Sequence, residues 1–498
     1  MSYDPAPSIT GTALATMDPN AVRHLWQQGI DTFEQSNDFF AEMEGGPDST
    51  IWEKTDLSKG KGQKITFTVG SGFYAEPHVG DQVFENQSDF EQFLINSHDL
   101  FVDWARHGVS FNERTEEIMG MRGEIISGFN TQQGAWAGRL KSEQLFMMFR
   151  EQLPSDNVVY ANGKTQDNLV SADALNWDEI ITLGTMMKSK GGQPAKVGTM
   201  KNGQPVFRNV VIGTSDALYS LDMDPSYKSI LATTKVEAQA ALLFDGGYAS
   251  PKGHIITEYT PIDHDGQGAI GSPLNAKAQL GVAITPQTAA FAVYGGGNPT
   301  AAAASNVMYF KYFPNYAYSF IGNTDPTAGG ITTLGQDSAT HYFLIVNPSN
   351  APTDPNKIGM YSYTTGNNGN SITVTGQLAA TASGIAKTTI GSVTWGSGVW
   401  TGITTQTHPV GAHILPCNAK GQVFGDTLML GKRAAYRGYG KYRNQRLQQD
   451  LEGGFLMQRY IVSVFGQALR QDRLGRVPAV MRLRHAIQYA GLPLPTIV

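Results

Sequence analysis

Apolar positions along the chain change period several times. Residues 18–43 carry Val22, Leu25, Trp26, Ile30, Phe33 and Phe40 at helical spacing. Asp18 and Pro19 suit an N-cap and a first helical position, and Gly45-Gly46 ends the run. An amphipathic helix ahead of the first strand needs a surface, its own core in a monomer or a neighbour in an assembly. "KITFTV" then alternates Ile65, Phe67 and Val69 with polar residues, the pattern of a half-buried strand. "FLINSHDLFVDWARHGVSF" supplies a return path near residues 93–111. The connection between them gathers acids at Glu76, Asp81, Glu85, Asp89 and Glu91, and connections of its length are functional or mobile.

The period returns to helical over residues 112–153, with Asn112 expected to cap the helix and Pro154 to stop it. Such a helix would span roughly 60 Å. Its apolar stripe, Ile118, Ile125, Phe129, Trp136 and Leu140, is interrupted by Gly120, Gly123, Gly128, Gly134 and Gly138. Each glycine costs up to ~1 kcal/mol relative to alanine, so a bend or a close backbone contact is expected.

Further on, residues 155–205 read as polar loop around a short helix near "ADALNWDEIITLGTMM". "FRNVVIGT" (207–214) and "GHIITEY" (253–259) read as strands, with a helix over 226–243 between them. Residues 285–410 differ in kind. They hold six charged residues, are dense in Thr, Gly, Asn, Ser and Ala, and contain strand-like "HYFLIV", "MYSYTT" and "SITVTG". This stretch reads as an all-β insertion with a neutral surface. After it, "GDTLMLGKRAAYRGYGKY" reads as helical, and "YIVSVFGQALRQDRLGRVPAVMRLRHA" as a hairpin turning at Asp472–Gly475. The fold class expected is α+β.

Composition narrows the setting. A chain of 498 residues allows about three domains. Cys417 is the only cysteine, which excludes a disulfide framework or a thiolate zinc site and fits synthesis in a reducing cytosol. Asp4 stands where a secretory signal would be positive, and the N-terminal stretch lacks an apolar core, so no signal peptide is expected. No run of 18 apolar residues exists, so no membrane partner is expected. The net charge of −6 is uneven: residues 432–484 carry 12 Lys+Arg against 3 Asp+Glu, leaving −15 on the remainder. That asymmetry suggests self-association or a polyanionic neighbour.

Motifs of catalysis are missing: the chain has no GxxxxGK[ST], HExxH or GxSxG, and no pair of CxxC motifs. "GQGAIG" (266–271) opens no convincing helix. Asp263, His264 and Asp265 could face a divalent ion but suit an Asp/Gly turn better. His254 and His264 flank a strand and a turn and suit satisfied surface or core histidines better than a two-histidine site, and Cys417 fits a small buried residue. No catalytic residue, cofactor or metal site is assigned, and no enzymatic activity is expected. The cluster Lys432, Arg433, Arg437, Lys441, Arg443 and Arg446, interleaved with Tyr436, Tyr439 and Tyr442, would suit nucleic acid, an intersubunit surface meeting acidic arms, or a solvated face.

Taken in order, these features resemble a tailed-phage major capsid protein of the HK97-type fold. The closer likeness is to the podophage-type branch, carried by "KTDLSKGKGQKITF" (54–67) and "GDQVFENQSDFEQF" (80–93). "ALLFDGGYASPKGHIITEY" (241–259) and "FLIVNPSNAPTDPNKIGMYSYTTGNNGNSITVTGQL" (343–378) carry it further. The likeness covers most of the chain and departs at 285–410, which looks expanded.

The resemblance implies an N-terminal arm (1–53), an extended two-stranded loop (54–108) and a peripheral domain with a spine helix (109–205). It then implies a first axial part (206–284), the β-rich insertion (285–410), an axial helix with the basic segment (411–446), and strands returning to the peripheral domain (447–498). It further implies a structural role in the virion. Hexamers and pentamers, assembled in the host cytoplasm, would form an icosahedral shell around packaged double-stranded DNA. A portal would sit at one vertex, with scaffold or decoration proteins as further partners. Some shells of this fold lock by a Lys–Asn bond from the extended loop. Here no lysine lies between Lys64 and Lys141, so a non-covalent shell is expected.

Intersubunit contacts are expected from the arm helix (Leu25, Trp26, Ile30, Phe33) and the acidic loop (Glu76, Asp81, Glu85, Asp89, Glu91). The basic partner surface would comprise Arg114, Arg122, Arg139, Lys141, Arg437, Lys441, Arg443 and Arg446. Rival readings are a β-rich fibre, tail or adhesion protein, favoured by 285–410, and a carbohydrate hydrolase, for which no facing carboxylate pair can be named.

Overall fold

The computed structural model describes residues 34–55, 64–70, 95–112, 122–199, 205–233, 254–259, nine strands within 278–417, and 418, 422–451, 456–472 and 474–487. A short helical stretch at 34–37 leads to β1 (Glu44–Gly45) and β2 (Ile51–Lys54). Next come β3 (Lys64–Gly70), β4 (Ile95–Phe101), β5 (Asp103–Asn112) and the helix α1 (Arg122–Glu151). Then follow β6 (Val158–Tyr160), α2 (Trp177–Ser189), β7 (Ala195–Thr199), β8 (Pro205–Thr214), α3 (Ser215–Met223), α4 (Pro225–Thr233) and β9 (His254–Tyr259). Strands β10 (Ala278–Leu280) to β18 (His413–Cys417) precede β19 (Phe424–Leu430), β20 (Ala435–Leu451), β21 (Leu456–Leu469) and β22 (Val480–Ala486). The fold is mixed α+β. It divides into two compact units, one of residues 1–47, 51–145 and 435–468, the other of 48–50, 146–434 and 469–498.

In the first unit, a five-stranded sheet runs β1-β2-β20-β21-β5, and β3 pairs antiparallel with β4 from Lys64↔Phe101 to Gly70↔Ile95. The expected alternation of "KITFTV" holds: Ile65 and Phe67 are buried, and Lys64, Thr66 and Thr68 face out. The hairpin packs on the sheet through Ile65, Phe67, Leu100, Val102 and Tyr436, with Phe67 stacked on Tyr436 at 4.5 Å. Glycine makes the close approach possible. A Cβ on Gly438 would lie 2.7 Å from Ile65 Cδ1, and one on Gly466 would lie 2.2 Å from the Phe101 carbonyl oxygen. The return path divides in two, because β4 pairs with β3 whereas β5 pairs with β21.

In the second unit, β6-β22-β19-β8-β7 form a sheet to which β9 adds parallel to β8. Asn176 caps α2 by accepting the Glu179 N–H at 2.9 Å. Seven strands close into a barrel, β10-β12-β11-β15-β14-β13-β18, whose first and last members in sequence, β10 and β18, lie outside the expected 285–410 stretch.

Several expectations are corrected. Asn112 does not cap the long helix; it ends β5, opposite Leu456. "GDTLMLGKRAAYRGYGKY" is not helical. It forms β19 and the start of β20, joined by a turn in which Arg433 has φ 56°. Every residue of β19, a central strand paired with β8 and β22, is buried on both faces, so its sequence shows no alternation to betray a strand. The turn at Asp472–Gly475 exists, with Asp472 accepting the N–H groups of Leu474 and Arg476, and Gly475 at φ 75°. It does not close a hairpin, because β21 and β22 belong to different sheets. Helix α3 was not foreseen, and of the helix expected over 226–243 only Pro225–Thr233 is described.

Candidate functional site

Residues 34–44 reach the rest of the first unit chiefly through side chains. Apart from the pairing of Glu44 in β1 with β2, their backbone-to-backbone hydrogen bonds are local, such as Asp38 N–H to the Glu34 carbonyl (2.9 Å) and Met43 N–H to that of Phe40 (2.9 Å). The Phe39 N–H donates outward to Ser142 Oγ on α1 (2.9 Å), and that hydroxyl donates to Asp38 Oδ1 (2.7 Å). Phe40 is fully buried.

The charges are buried too. Lys141 on α1 donates to Glu34, while Arg437 on β20 donates through Nη1 to both Asp38 and Glu44. Lys141 and Arg437 are 0 % exposed, and the side chains of Glu34, Asp38 and Glu44 are 1, 3 and 6 % exposed. Gln467 accepts from Arg437 Nε (3.1 Å) and Nη2 (3.0 Å) and donates to the Lys141 carbonyl (3.2 Å). The Lys141 ammonium lies 4.7 Å from the Tyr439 ring and 5.2 Å from that of Phe465. Tyr439 donates its hydroxyl to Glu44 at 3.1 Å. At Gly138 the backbones nearly touch: an added Cβ would stand 2.4 Å from the Glu34 oxygen. The close contact expected from the helix glycines is found there.

The basic residues separate into distinct environments. Lys141 and Arg437, expected to offer charge on a surface, are buried and neutralised within the chain. The sequence shows cations but not which carboxylates cover them. Arg139 is half-buried beside Glu143 at 3.8 Å, and burial raises the Glu143 carboxyl above its usual range. Arg122 opens α1, and Lys441, Arg443 and Arg446 lie along β20. Tyr436 and Tyr439 are core residues, so stacking on nucleic acid is corrected for both. Arg114, Leu25, Trp26, Ile30, Phe33, Glu76, Asp81, Glu85, Asp89, Glu91 and the 263–271 motifs lie outside the described residues.

Sequence reasoning overlooked three exposed apolar side chains. Ile95, Phe101 and Trp104 are 61, 70 and 58 % exposed on β4 and β5, with the Arg106 guanidinium 5.1 Å from the Trp104 ring. The available signal was the surplus of apolar residues in "HDLFVDWAR" over what one buried strand face can use.

His254 on β9 is buried, and a Cβ on Gly184 would sit 2.7 Å from its ring. Burial, reinforced by Lys188 and Arg208, pushes its pKa down to about 4. Cys417 is buried as expected, and burial raises its thiol pKa. Among the described residues no group of three His, Cys, Asp or Glu could hold a metal ion, and no helix is long and apolar enough to cross a membrane.

No family model matches the chain, and no curated protein matches it. Among solved structures it is similar to the capsid of Ralstonia phage GP4, at 12 % identity and TM-score 0.49, covering 92 % of this chain and 93 % of that one. It is similar to the Cyanophage Pam1 capsid at 9 % identity and TM-score 0.49, covering 91 % and 93 %. The Helicobacter pylori bacteriophage KHP30 capsid gives 11 % identity and TM-score 0.48 over 90 % and 91 %.

Proposed function

We propose that the chain is a major capsid protein of a tailed phage, with an HK97-type fold of the podophage-type branch. It self-assembles into an icosahedral shell around packaged double-stranded DNA. The observation that carries this reading is the exposure of Ile95, Phe101 and Trp104, large apolar side chains left open along the hairpin and the strand after it. Large apolar side chains exposed along two successive strands suit burial against a neighbour, and repeated copies of one chain would cover them. The order of elements agrees with the family resemblance: an N-terminal segment, a two-stranded hairpin, a long helix, and strands returning from the C-terminal part.

In this reading the role is structural rather than catalytic. The arm helix and the acidic loop meet neighbouring subunits, and the shell is non-covalent. Hexamers and pentamers assemble in the host cytoplasm, with a portal at one vertex and scaffold or decoration proteins as further partners. The packaged DNA is held by non-specific contact.

The closed barrel favours one other reading, a β-rich fibre, tail or adhesion protein. Sedimentation and negative-stain microscopy of the purified full chain separate the two. Closed shells or capsomers support the capsid, and a discrete small oligomer refutes it.

A further inference from the structure

We propose that residues 34–44 are a closing strap whose seat is the pair of buried cations Lys141 and Arg437, and that closure makes the subunit competent to assemble. The second half rests on the capsid reading; the first stands without it. Three features carry the strap. Its described backbone hydrogen bonds are mostly internal or to the adjoining β2, so it can leave without dismantling the sheet. Its attachment is concentrated in Glu34, Asp38 and Glu44, which meet α1 and β20 rather than their own chain neighbours, and Phe40 is fully buried. Its seat has the opposite charge and is shaped for close approach, with Gly138 bare against the Glu34 and Asp38 backbone.

The same charges explain why closure would be decisive rather than gradual. Buried cations without counter-charges are strongly unfavourable, so an empty seat must take in water or rearrange. Seating the strap brings three carboxylates to two cations, with Ser142, Tyr439 and Gln467 taking up the remaining bonds. Elements of this kind, short and held by a few buried side chains, open as units of their own.

Hydrogen exchange read by mass spectrometry on the full-length subunit tests the strap. In Lys141→Met, amides of residues 34–44 should exchange about tenfold faster or more, with β19 and β22 changed by less than about twofold. The swapped pair Glu34→Lys with Lys141→Glu should recover most of the protection and guards against a variant that merely fails to fold. Unchanged exchange at 34–44, or acceleration spread evenly over the chain, overturns the strap. Microscopy of the same samples tests the gate: fewer shells from Lys141→Met, restored in the swapped pair, are expected. Normal shells from an open-strap variant overturn the gating. If the unaltered chain forms no shells or capsomers, the capsid reading fails while the exchange result still decides the strap.

Discussion

Arg437 and Asp38 are 399 positions apart in sequence and share a buried charge-assisted hydrogen bond. The same guanidinium also binds Glu44 and Gln467, so one planar group ties the N-terminal segment to two long strands. Arg437→Met leaves Asp38 and Glu44 buried without their cation and should lower unfolding stability by about 3–5 kcal/mol. Arg437→Lys should recover only part of this, because a single ammonium cannot reproduce the fork. Denaturant titration monitored by tryptophan fluorescence measures both.

Gly138→Ala should also destabilise, against its helix propensity. Alanine favours a helix by up to ~1 kcal/mol, but here its methyl would meet the Glu34 carbonyl oxygen and the Asp38 nitrogen at 2.4 and 2.8 Å. Overpacking of this kind costs roughly 1–3 kcal/mol, so a net loss of about 1–2 kcal/mol is expected in the same titration.

Stability should fall in mild acid through His254. Its folded pKa, about 4, lies below the ordinary 6.5, so the unfolded chain binds the proton more readily. The contribution is present above about pH 6.5 and is lost as pH falls towards 4. Melting temperatures of His254→Gln across this window should decline less steeply than those of the unaltered chain. Parallel curves would assign the acid sensitivity to other groups.

Phe101→Ser and Trp104→Ser test the open apolar surface. Neither side chain supports the core, so unfolding stability should change by about 0.5 kcal/mol or less. Assembly should suffer in proportion to the apolar area lost, read as a smaller shell fraction in sedimentation.

Reversing the loop acids, Glu85→Lys with Asp89→Lys, should impair shell formation while the subunit still folds, because docking charges act through repetition across copies. Denaturing gels of mature particles should show single chains. A ladder of covalent multimers would refute the non-covalent shell.

Much of the fold was legible because local pattern and burial agree. In β3, one face meets the sheet and the other solvent, so Ile65 and Phe67 alternate visibly with threonine. The α1 stretch announced itself by helical spacing, and Pro154 lies just beyond its end. Legibility failed where tertiary contacts override local pattern. In β19 both faces are covered, and in β20 Gly438 and Tyr436 answer to a hairpin packed across them. The candidate site was legible only in part: the basic residues stood out, but Lys141 and Arg437 could not be told from surface charges.

By itself, the sequence determined the mixed architecture, the order of hairpin and long helix, and the β-rich character of 285–410. These follow from periodicity, which each segment carries alone. Only the tertiary structure decided which charges face inward, which strands share a sheet, and that seven strands close into a barrel. The reason is that pairing is a property of two distant segments. Nothing local to Arg437 specifies Asp38; the fold brings them together, and burial then makes their meeting compulsory.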